Sequence, residues 1–337
     1  MNAPATRQAA PSATLARLLE LCALVRSAVL PYLGRHAARQ RAGEAVGGDV
    51  TFDIDERAEA VLAEHMATHL PRWACYSEDR GLQGADDPEM VLIVDPIDGT
   101  RPAAAGFEMA CVSVAAVQAL DVPTMGDVVA GVVQEIKSGD VFAAERGGGL
   151  LMRRAGGEHI PLLPSPSTDL ESLFWTLGFR GRPAVVLATV LADLIDRSSV
   201  GGGVFDIGSA TYSITRVLTG QLDAYVDIGP AIIAAHPAVE SEFRRVGHGA
   251  VLNNSPYDLA AARLLCTEAG LPITDADGRP LDDHRLLGSD HEYQMACVVS
   301  GNHALHASIL EVVRRGIAGL AWSPDAGHGR RTEVHHE

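Results

Sequence analysis

The chain opens with apolar residues at helical spacing. Leu15, Leu18 and Cys22 recur three or four positions apart, and this predicts one long amphipathic helix over residues 14–41. A glycine-rich loop follows, and the mixed apolar and acidic pattern of residues 55–69, which ends shortly before Pro71, predicts a second helix. Residues 14–69 are therefore predicted to form two helices joined by a loop.

Short apolar runs separated by turn residues come next and predict strands. They cover residues 91–94, 110–117, 128–134 and 140–144. Runs of this length, joined by short turns, are typical of antiparallel pairing. We therefore expect the chain up to about residue 165 to form an α+β unit with an antiparallel sheet.

Strand-like and helix-like segments alternate beyond a proline-containing linker at residues 161–166. The strands are predicted at residues 173–177, 203–206, 222–227 and 295–300. The helices are predicted at residues 184–196, 209–218, 259–269 and 303–315. This alternation predicts an α/β domain at residues 166–320, which follows an α+β domain at residues 14–165. Disordered tails are expected at residues 1–13 and 321–337.

Composition excludes several function classes. The formal net charge is −16, from 27 basic and 43 acidic residues, and binding to a nucleic-acid backbone requires a basic surface. The sequence has no apolar run of the roughly 18 residues needed to span a bilayer, and no secretory signal pattern. Five scattered cysteines without a C-x-x-C pair favour reduced thiols. We therefore expect a cytoplasmic protein with neither a nucleic-acid nor a membrane partner.

The strongest chemical signal is a pair of carboxylates that ends a buried strand, in VLIVDPIDGT at residues 91–100. Hard divalent cations prefer oxygen ligands, so Asp95, the Ile97 carbonyl and Asp98 could face one ion. A plain Asp-rich turn is the alternative. Glu78 follows another short apolar segment, and Asp258 opens a predicted helix, where it could act only as a cap.

Taken in order, these segments resemble the inositol monophosphatase family, which includes archaeal-type fructose-1,6-bisphosphatases and 3′-phosphoadenosine phosphatases. The resemblance covers roughly residues 15–320, and residues 95–100 match the family signature D-P-[IL]-D-G-[TS] in full. Glu78-Asp79 match the Glu-Glu element, and Thr51 with Asp55 match the T-x(2,3)-D element. Residues 208–210 match Gly-Ser-Ala, and residues 257–262 match W-D-x-A-A-G.

The resemblance implies a layered αβαβα sandwich of the sugar phosphatase type. It also implies a homodimer that hydrolyses a small-molecule phosphate ester. Two or three Mg²⁺ ions would be held by Glu78, Asp95, the Ile97 carbonyl, Asp98 and Asp258. The catalytic residues would be Glu78 together with Asp55 and Thr100, which would orient the attacking water. Backbone N–H groups of Gly99 and Thr100 would bind phosphate, while Ser209, Ala210 and Asp227 would contact substrate hydroxyls.

Elementary electrostatics agrees with a metal site. Two carboxylates about 5 Å apart repel by roughly 3 kcal/mol at an effective dielectric constant near 20, so the convergence of several is costly unless cations occupy the centre. The spacing Asp95-x-x-Asp98 also differs from the D-x-D pair of haloacid-dehalogenase phosphatases.

Departures from the family pattern leave the substrate open. Arg101 follows the signature, Tyr257 replaces Trp, and Ala262 replaces Gly. Inositol phosphate, fructose 1,6-bisphosphate and 3′-phosphoadenosine 5′-phosphate are alternative substrates, and a non-catalytic ligand-binding paralogue is an alternative of another class. An apparent insert at residues 229–252 is hypothesised to narrow or reshape substrate access.

Overall fold

The computed structural model describes residues 11–322. Most of both predicted tails, residues 1–10 and 323–337, lies outside the described residues. The helices are α1 (Ala13–Val29), α2 (Asp53–His69), α3 (Thr100–Ala105), α4 (Ala184–Arg197), α5 (Ala210–Leu218), α6 (Gly229–Ala235), α7 (Glu240–Val246), α8 (Pro256–Ala269) and α9 (His303–Ala318). Within residues 11–322, no helix has the length and apolar character needed to cross a membrane.

The strands fall into two sheets and one hairpin. They are β1 (Arg41–Glu44), β2 (Val50–Phe52), β3 (Trp73–Ser77), β4 (Gly81–Gly84), β5 (Met90–Asp98), β6 (Cys111–Gln118), β7 (Val128–Glu135), β8 (Val141–Glu145), β9 (Gly149–Arg153), β10 (Phe174–Leu177), β11 (Gly203–Phe205), β12 (Ala224–Asp227), β13 (Ile273–Thr274) and β14 (Cys297–Ser300). The strands β1 and β2 form the separate antiparallel hairpin.

The first helix is shorter than the sequence pattern predicts. It ends at Val29, and short 3-10 turns follow at Leu30–Tyr32 and His36–Arg39. Pro31 cannot donate a backbone hydrogen bond, and its ring would clash with the preceding helical turn. The prediction of one helix over residues 14–41 is therefore wrong beyond Val29.

The larger sheet has the strand order β4-β3-β5-β6-β7-β8-β9. Its pairs are antiparallel except β3 with β5, which run parallel. Both faces of its centre are buried: along β5, Leu92 and Val94 belong to one apolar cluster, while Val91 and Ile93 belong to another. Burial on both sides explains why this strand is continuously apolar instead of alternating.

The smaller sheet has the order β11-β10-β12-β14-β13. The strand β10 runs parallel to both β11 and β12, while β14 is antiparallel to β12 and β13. This mixture differs from the mainly antiparallel first sheet, and it agrees with the alternation of helices and strands in the second half of the sequence.

The two sheets and their helices form five layers. Helices α1 and α2 cover the outer face of the larger sheet, α5 and α8 lie between the sheets, and α4 and α9 cover the outside of the smaller sheet. The contact between α8 and the larger sheet is close, since a β-carbon at Gly131 of β7 would lie 3.0 Å from the Cα of Ala261. The predicted αβαβα sandwich is confirmed, while the domain boundary near residue 165 stays a prediction.

Candidate functional site

Asp95 and Asp98 lie at a bulge where β5 leaves its regular pairing with β6. The two residues are three positions apart on β5, but their partners on β6 are two positions apart. A bulge tolerates Pro96, which has no N–H for the ladder. The Ile97 N–H donates to the Asp95 carboxylate at 2.9 Å. Both carboxylates are buried and line the same cavity.

Glu78 reaches the same place because β3 and β5 run parallel. Ser77, the last residue of β3, pairs with Val94 of β5, and the Glu78 N–H donates to the Val94 carbonyl at 3.3 Å. The carboxyl ends of parallel neighbours meet at one edge of a sheet. Glu78 therefore follows β3 at the point where Asp95 follows Val94.

A fourth acid, Asp258, comes from α8, the helix that lies between the sheets. Asp258 lies in the first turn of α8, and its carboxylate accepts a hydrogen bond from the Ser255 N–H at 2.6 Å, as a capping residue does. Oxygens of Asp95, Asp98 and Asp258 nevertheless lie within 4.8 Å of one another. Asp258 therefore caps its helix and also faces the acidic cluster.

Burial and mutual repulsion raise the pKa of every acid in this cluster. Burial is the largest cause for Asp258, with the charge of Asp98 next, and the pKa of Asp258 rises to about 8. The pKa of Asp95 is raised well above its usual range, mainly by burial and next by the charges of Glu78 and Asp98. The pKa of Glu78 is also raised well above its usual range, mainly by burial and next by the charges of Asp79 and Asp258. The charges of Arg180 and Arg182 oppose the rise in the pKa of Asp258 without cancelling it, so protons or a bound cation would relieve the remaining repulsion.

A divalent cation fits this donor set. Three carboxylate oxygens within 4.8 Å of one another are the hard oxygen ligands that Mg²⁺ prefers. Glu78 and Ile97 line the same cavity as these three acids. The structure therefore brings Asp95, Asp98 and Asp258 together with Glu78 and Ile97 beside them, while the roles of all five as metal ligands stay predictions.

Asp55 and Thr100 are directly connected. The Thr100 hydroxyl donates to the Asp55 carboxylate at 2.9 Å and also lies 3.1 Å from the Ile97 carbonyl. The other Asp55 oxygen accepts from the Phe52 N–H at 2.8 Å at the start of α2. Burial raises the pKa of Asp55 to about 7, and the charge of Asp79 contributes to the rise. This carboxylate is therefore poised to exchange a proton near neutral pH.

A cavity of about 490 Å³ opens above these groups. Its lining includes Gly99 and Thr100 at the start of α3. Gly99 has φ +94°, and a β-carbon there would lie 2.5 Å from the Met109 carbonyl oxygen, so the turn requires glycine. The volume suits a small phosphorylated molecule of the kind that the sequence predicts.

Ser209 and Ala210 support Asp98 instead of lining the main cavity. The Ser209 hydroxyl donates to Asp98 at 2.9 Å, and the Ala210 N–H donates to it at 3.3 Å. Both residues line a smaller neighbouring cavity of about 50 Å³ that shares Asp98 and Asp258 with the larger one. Both residues therefore hold the Asp98 carboxylate in place. Their contact with substrate hydroxyls stays a prediction.

Asp227 lines the same small cavity as Ser209 and Ala210, and its carboxylate also interacts with other side chains of the protein. Its carboxylate pairs with Arg182, and the two side chains are 0% and 6% exposed. The Tyr225 hydroxyl lies 3.5 Å from the same carboxylate. Asp227 lines the smaller cavity, so its predicted role in substrate binding remains a prediction, and its buried ion pair is a structural role that sequence reasoning missed.

The main cavity also contains a group of paired charges that the sequence does not reveal. Asp49 pairs with both Arg101 and Arg180. All three residues line the main cavity. The family pattern draws attention to Arg101 only as a departure, and nothing in the local sequence around residue 180 indicates a partner 131 positions away.

Divalent cations are expected to stabilise the fold more strongly at alkaline than at acidic pH. Because the folded-state pKa values of Asp55 and Asp258 are raised to about 7 and about 8, the stability they contribute is complete below the unfolded pKa near 4 and is lost as pH rises through about 7 to 8. Mg²⁺ bound by the deprotonated Asp258 would offset this loss at alkaline pH. Saturating Mg²⁺ should raise the Tm by about 4 °C near pH 8.5 and by less than about 1 °C near pH 5.5.

Differential scanning fluorimetry checks this expectation. KCl at matched ionic strength is the control, since screening alone should act similarly at both pH values. Equal Mg²⁺ shifts at the two pH values would contradict the assignment of a cation to these acids.

Comparison with known proteins places this geometry in a family. The profile of the inositol monophosphatase family matches residues 14–317. The inositol-1-monophosphatase of Mesorhizobium japonicum is 26% identical over 276 residues, which cover 80% of this chain and 85% of that protein. The Nus factor SuhB of Xylella fastidiosa is 26% identical over 242 residues, which cover 70% of this chain and 73% of that protein.

Solved structures show the same fold. The Thermotoga maritima IMPase superposes with a TM-score of 0.65 at 20% identity, over 91% of this chain and 99% of that one. The MJ0109 gene product, an inositol monophosphatase–fructose 1,6-bisphosphatase, superposes with a TM-score of 0.64 at 18% identity, over 88% of this chain and 98% of that one.

Proposed function

Because this chain belongs to the inositol monophosphatase family, we propose that it is a Mg²⁺-dependent phosphatase that hydrolyses a small phosphorylated polyol or sugar. The observation that carries the proposal is the convergence of Asp95, Asp98 and Asp258 within 4.8 Å at the floor of the main cavity. Acids at this spacing repel unless a cation lies between them. A phosphate ester, which is itself anionic, can approach such acids only when cations are present.

Asp95, Asp98, Asp258, Glu78 and the Ile97 carbonyl would hold two or three Mg²⁺ ions. Bound there, Mg²⁺ would lower the pKa of a water molecule and offset charge on the leaving oxygen. Ser209, Ala210 and Thr211 at the start of α5 fix the Asp98 carboxylate by hydrogen bonds. This support keeps one ligand oxygen in a defined direction.

Asp55 and Thr100 would position the attacking water. The Thr100 hydroxyl donates to Asp55, so its oxygen lone pairs are available to accept a hydrogen bond from water. A proton leaving that water can pass through the Thr100 hydroxyl to the Asp55 carboxylate, whose pKa near 7 matches a base that works at neutral pH. Backbone N–H groups of Gly99 and Thr100 would hold the phosphate during this transfer.

A phosphate-release screen with and without Mg²⁺ tests the proposal. The substrates are inositol 1-phosphate, fructose 1,6-bisphosphate and 3′-phosphoadenosine 5′-phosphate. We expect turnover of at least one, falling by about 100-fold or more after chelation and returning when Mg²⁺ is restored, because the metal supplies several kcal/mol of transition-state stabilisation. Undiminished release in the chelated protein would contradict the proposed role of the acids.

The finer predictions extend beyond family membership. Fructose 1,6-bisphosphate and 3′-phosphoadenosine 5′-phosphate remain alternative substrates, and absence of turnover on all three esters would favour the non-catalytic ligand-binding alternative.

Some relatives are named Nus factor SuhB, so the absence of a nucleic-acid partner stays a prediction. The cytoplasmic location and the homodimer also stay predictions. All five cysteines are buried and lie outside disulfides, and the reduced state of their thiols stays a prediction.

A further inference from the structure

The main cavity contains a basic group opposite in charge to its acidic floor. One Asp49 oxygen accepts a hydrogen bond from Arg101 at 3.1 Å, and the other accepts from Arg180. We call Asp49, Arg101 and Arg180 the arginine clamp. Its members line the same cavity as Asp95 and Asp98, so a molecule held by the acidic floor also faces the clamp.

The clamp holds more positive than negative charge, and Glu78 and Asp258 of the acidic floor also attract Arg180. Burial alone would raise the pKa of Asp49, but the charges of Arg180 and Arg101 outweigh burial and lower it to about 2. Asp49 is therefore ionised at physiological pH. One carboxylate faces two guanidinium groups, so the clamp retains a net charge of about +1.

Most hydrogen-bond donors of the clamp remain available to a ligand. A guanidinium offers five N–H donors in a planar fork, and each of these two arginine side chains donates to Asp49 alone among the described residues. Arg101 also lies over the Phe52 ring, 5.4 Å from its centre, which restricts its motion. Both arginine side chains are 40% exposed, so their free edges are accessible from the cavity.

The insert at residues 229–252 packs against both loops that carry the clamp. A β-carbon at Gly48, beside Asp49, would lie 2.8 Å from the β-carbon of Ala250. A β-carbon at Gly181, beside Arg180, would lie 2.7 Å from that of Leu252. The end of the insert therefore supports two loops that are distant in sequence, and the position of the clamp is built into the fold.

We propose that Arg101 and Arg180 bind a second anionic group of the substrate, separate from the phosphate that is hydrolysed. This inference rests on the proposed function. A planar guanidinium recognises phosphate or carboxylate through paired hydrogen bonds. The monophosphate of an uncharged polyol has only the phosphate that is hydrolysed and offers no second anionic group. The substrate class is therefore a phosphate ester with another phosphate or a carboxylate.

Matched substrate pairs that differ by one anionic group test the inference in the wild-type protein. The phosphate pairs are fructose 1-phosphate with fructose 1,6-bisphosphate, and adenosine 3′-phosphate with 3′-phosphoadenosine 5′-phosphate. The carboxylate pair is glycerol 3-phosphate with 3-phosphoglycerate. We expect kcat/KM to favour the doubly anionic member of at least one pair by about tenfold or more, since charged hydrogen bonds contribute that much. Which pair shows the preference distinguishes phosphate from carboxylate.

The variant Arg180→Gln keeps a polar side chain of similar length and removes the charge. It should reduce the preference in the favoured pair by about tenfold or more, mainly through KM of the doubly anionic member. The control is Arg197→Gln, since Arg197 also pairs with a carboxylate, Glu171, but at an exposed site away from the cavity. This control should retain the wild-type preference.

Two failures are distinguishable. Hydrolysis of monophosphates with no preference in any pair would overturn the inference and leave the proposed function standing. A preference that survives in folded Arg180→Gln and Arg101→Gln variants would also overturn it. Absence of Mg²⁺-dependent release from every ester would remove the proposed function and the inference together.

Discussion

Replacing Asp95 with asparagine should lower kcat/KM for Mg²⁺-dependent phosphate release by about 1000-fold, because loss of a charged metal ligand removes several kcal/mol of transition-state stabilisation. The asparagine side-chain oxygen can still accept the hydrogen bond from the Ile97 N–H, so the fold should persist. At alkaline pH the metal-free variant should melt at or above the wild-type temperature, since ionisation of the buried Asp95 carboxyl is unfavourable in the wild-type protein.

Asp95 is a better choice than Asp98 for this test. The Asp98 carboxylate accepts hydrogen bonds from residues at the start of α5, so an amide there would disturb the helix as well as the cation site. The control is Asp87→Asn, the same chemical change on an exposed turn. Steady-state kinetics across a Mg²⁺ titration, with circular dichroism of each variant, checks the expectation. Wild-type turnover of Asp95→Asn at saturating Mg²⁺ would exclude Asp95 as a ligand.

Asp227→Asn should destabilise the folded protein by about 3 to 5 kcal/mol, since it leaves the buried Arg182 charge without its partner. For a chain of this length that corresponds to a fall in Tm of about 4 to 7 °C. Thermal and urea unfolding measure the change. The matched control is Asp193→Asn, which breaks the exposed pair with Arg315 and should cost less than about 1 kcal/mol.

The same variant decides between two roles for Asp227. The family resemblance implies contact with substrate hydroxyls, whereas the structure shows a buried ion pair with Arg182. A wild-type Tm combined with a raised KM would support the substrate role and contradict the structural one. A lowered Tm with unchanged KM in the folded fraction would support the ion pair.

The acidic floor could be predicted because its determinants are local. Burial on both faces makes β5 continuously apolar, so the strand and its terminal Asp95 and Asp98 are visible in the sequence. Glu78 reaches the floor through the parallel pairing of β3 with β5, which the predicted antiparallel sheet does not include, so its place was implied only by the family resemblance. The position of Asp258 is harder to predict, since its cap is a sufficient local explanation, and here the family resemblance supplied the connection.

The clamp could not be predicted because its partners meet only in the folded chain. Asp49 precedes β2, and Arg180 follows β10, so their contact depends on how the hairpin and the loop dock. The end of the first helix was missed for a different reason. Apolar spacing continues past Val29 in the sequence, and the backbone restriction at Pro31 prevails over that spacing.

The acidic floor draws its oxygens from both halves of the chain. Asp95 and Asp98 come from the larger sheet, whereas Asp258 comes from a helix that follows β12 in sequence and packs against that sheet. A fragment that stops at residue 165 would keep Asp95 and Asp98 but lose Asp258, and it would expose the apolar face that α8 covers. A cation bound between Asp258 and the two acids of the larger sheet would therefore couple the two halves of the chain. Packing of α8 on that sheet would favour cation binding, and cation binding would favour the packing of α8.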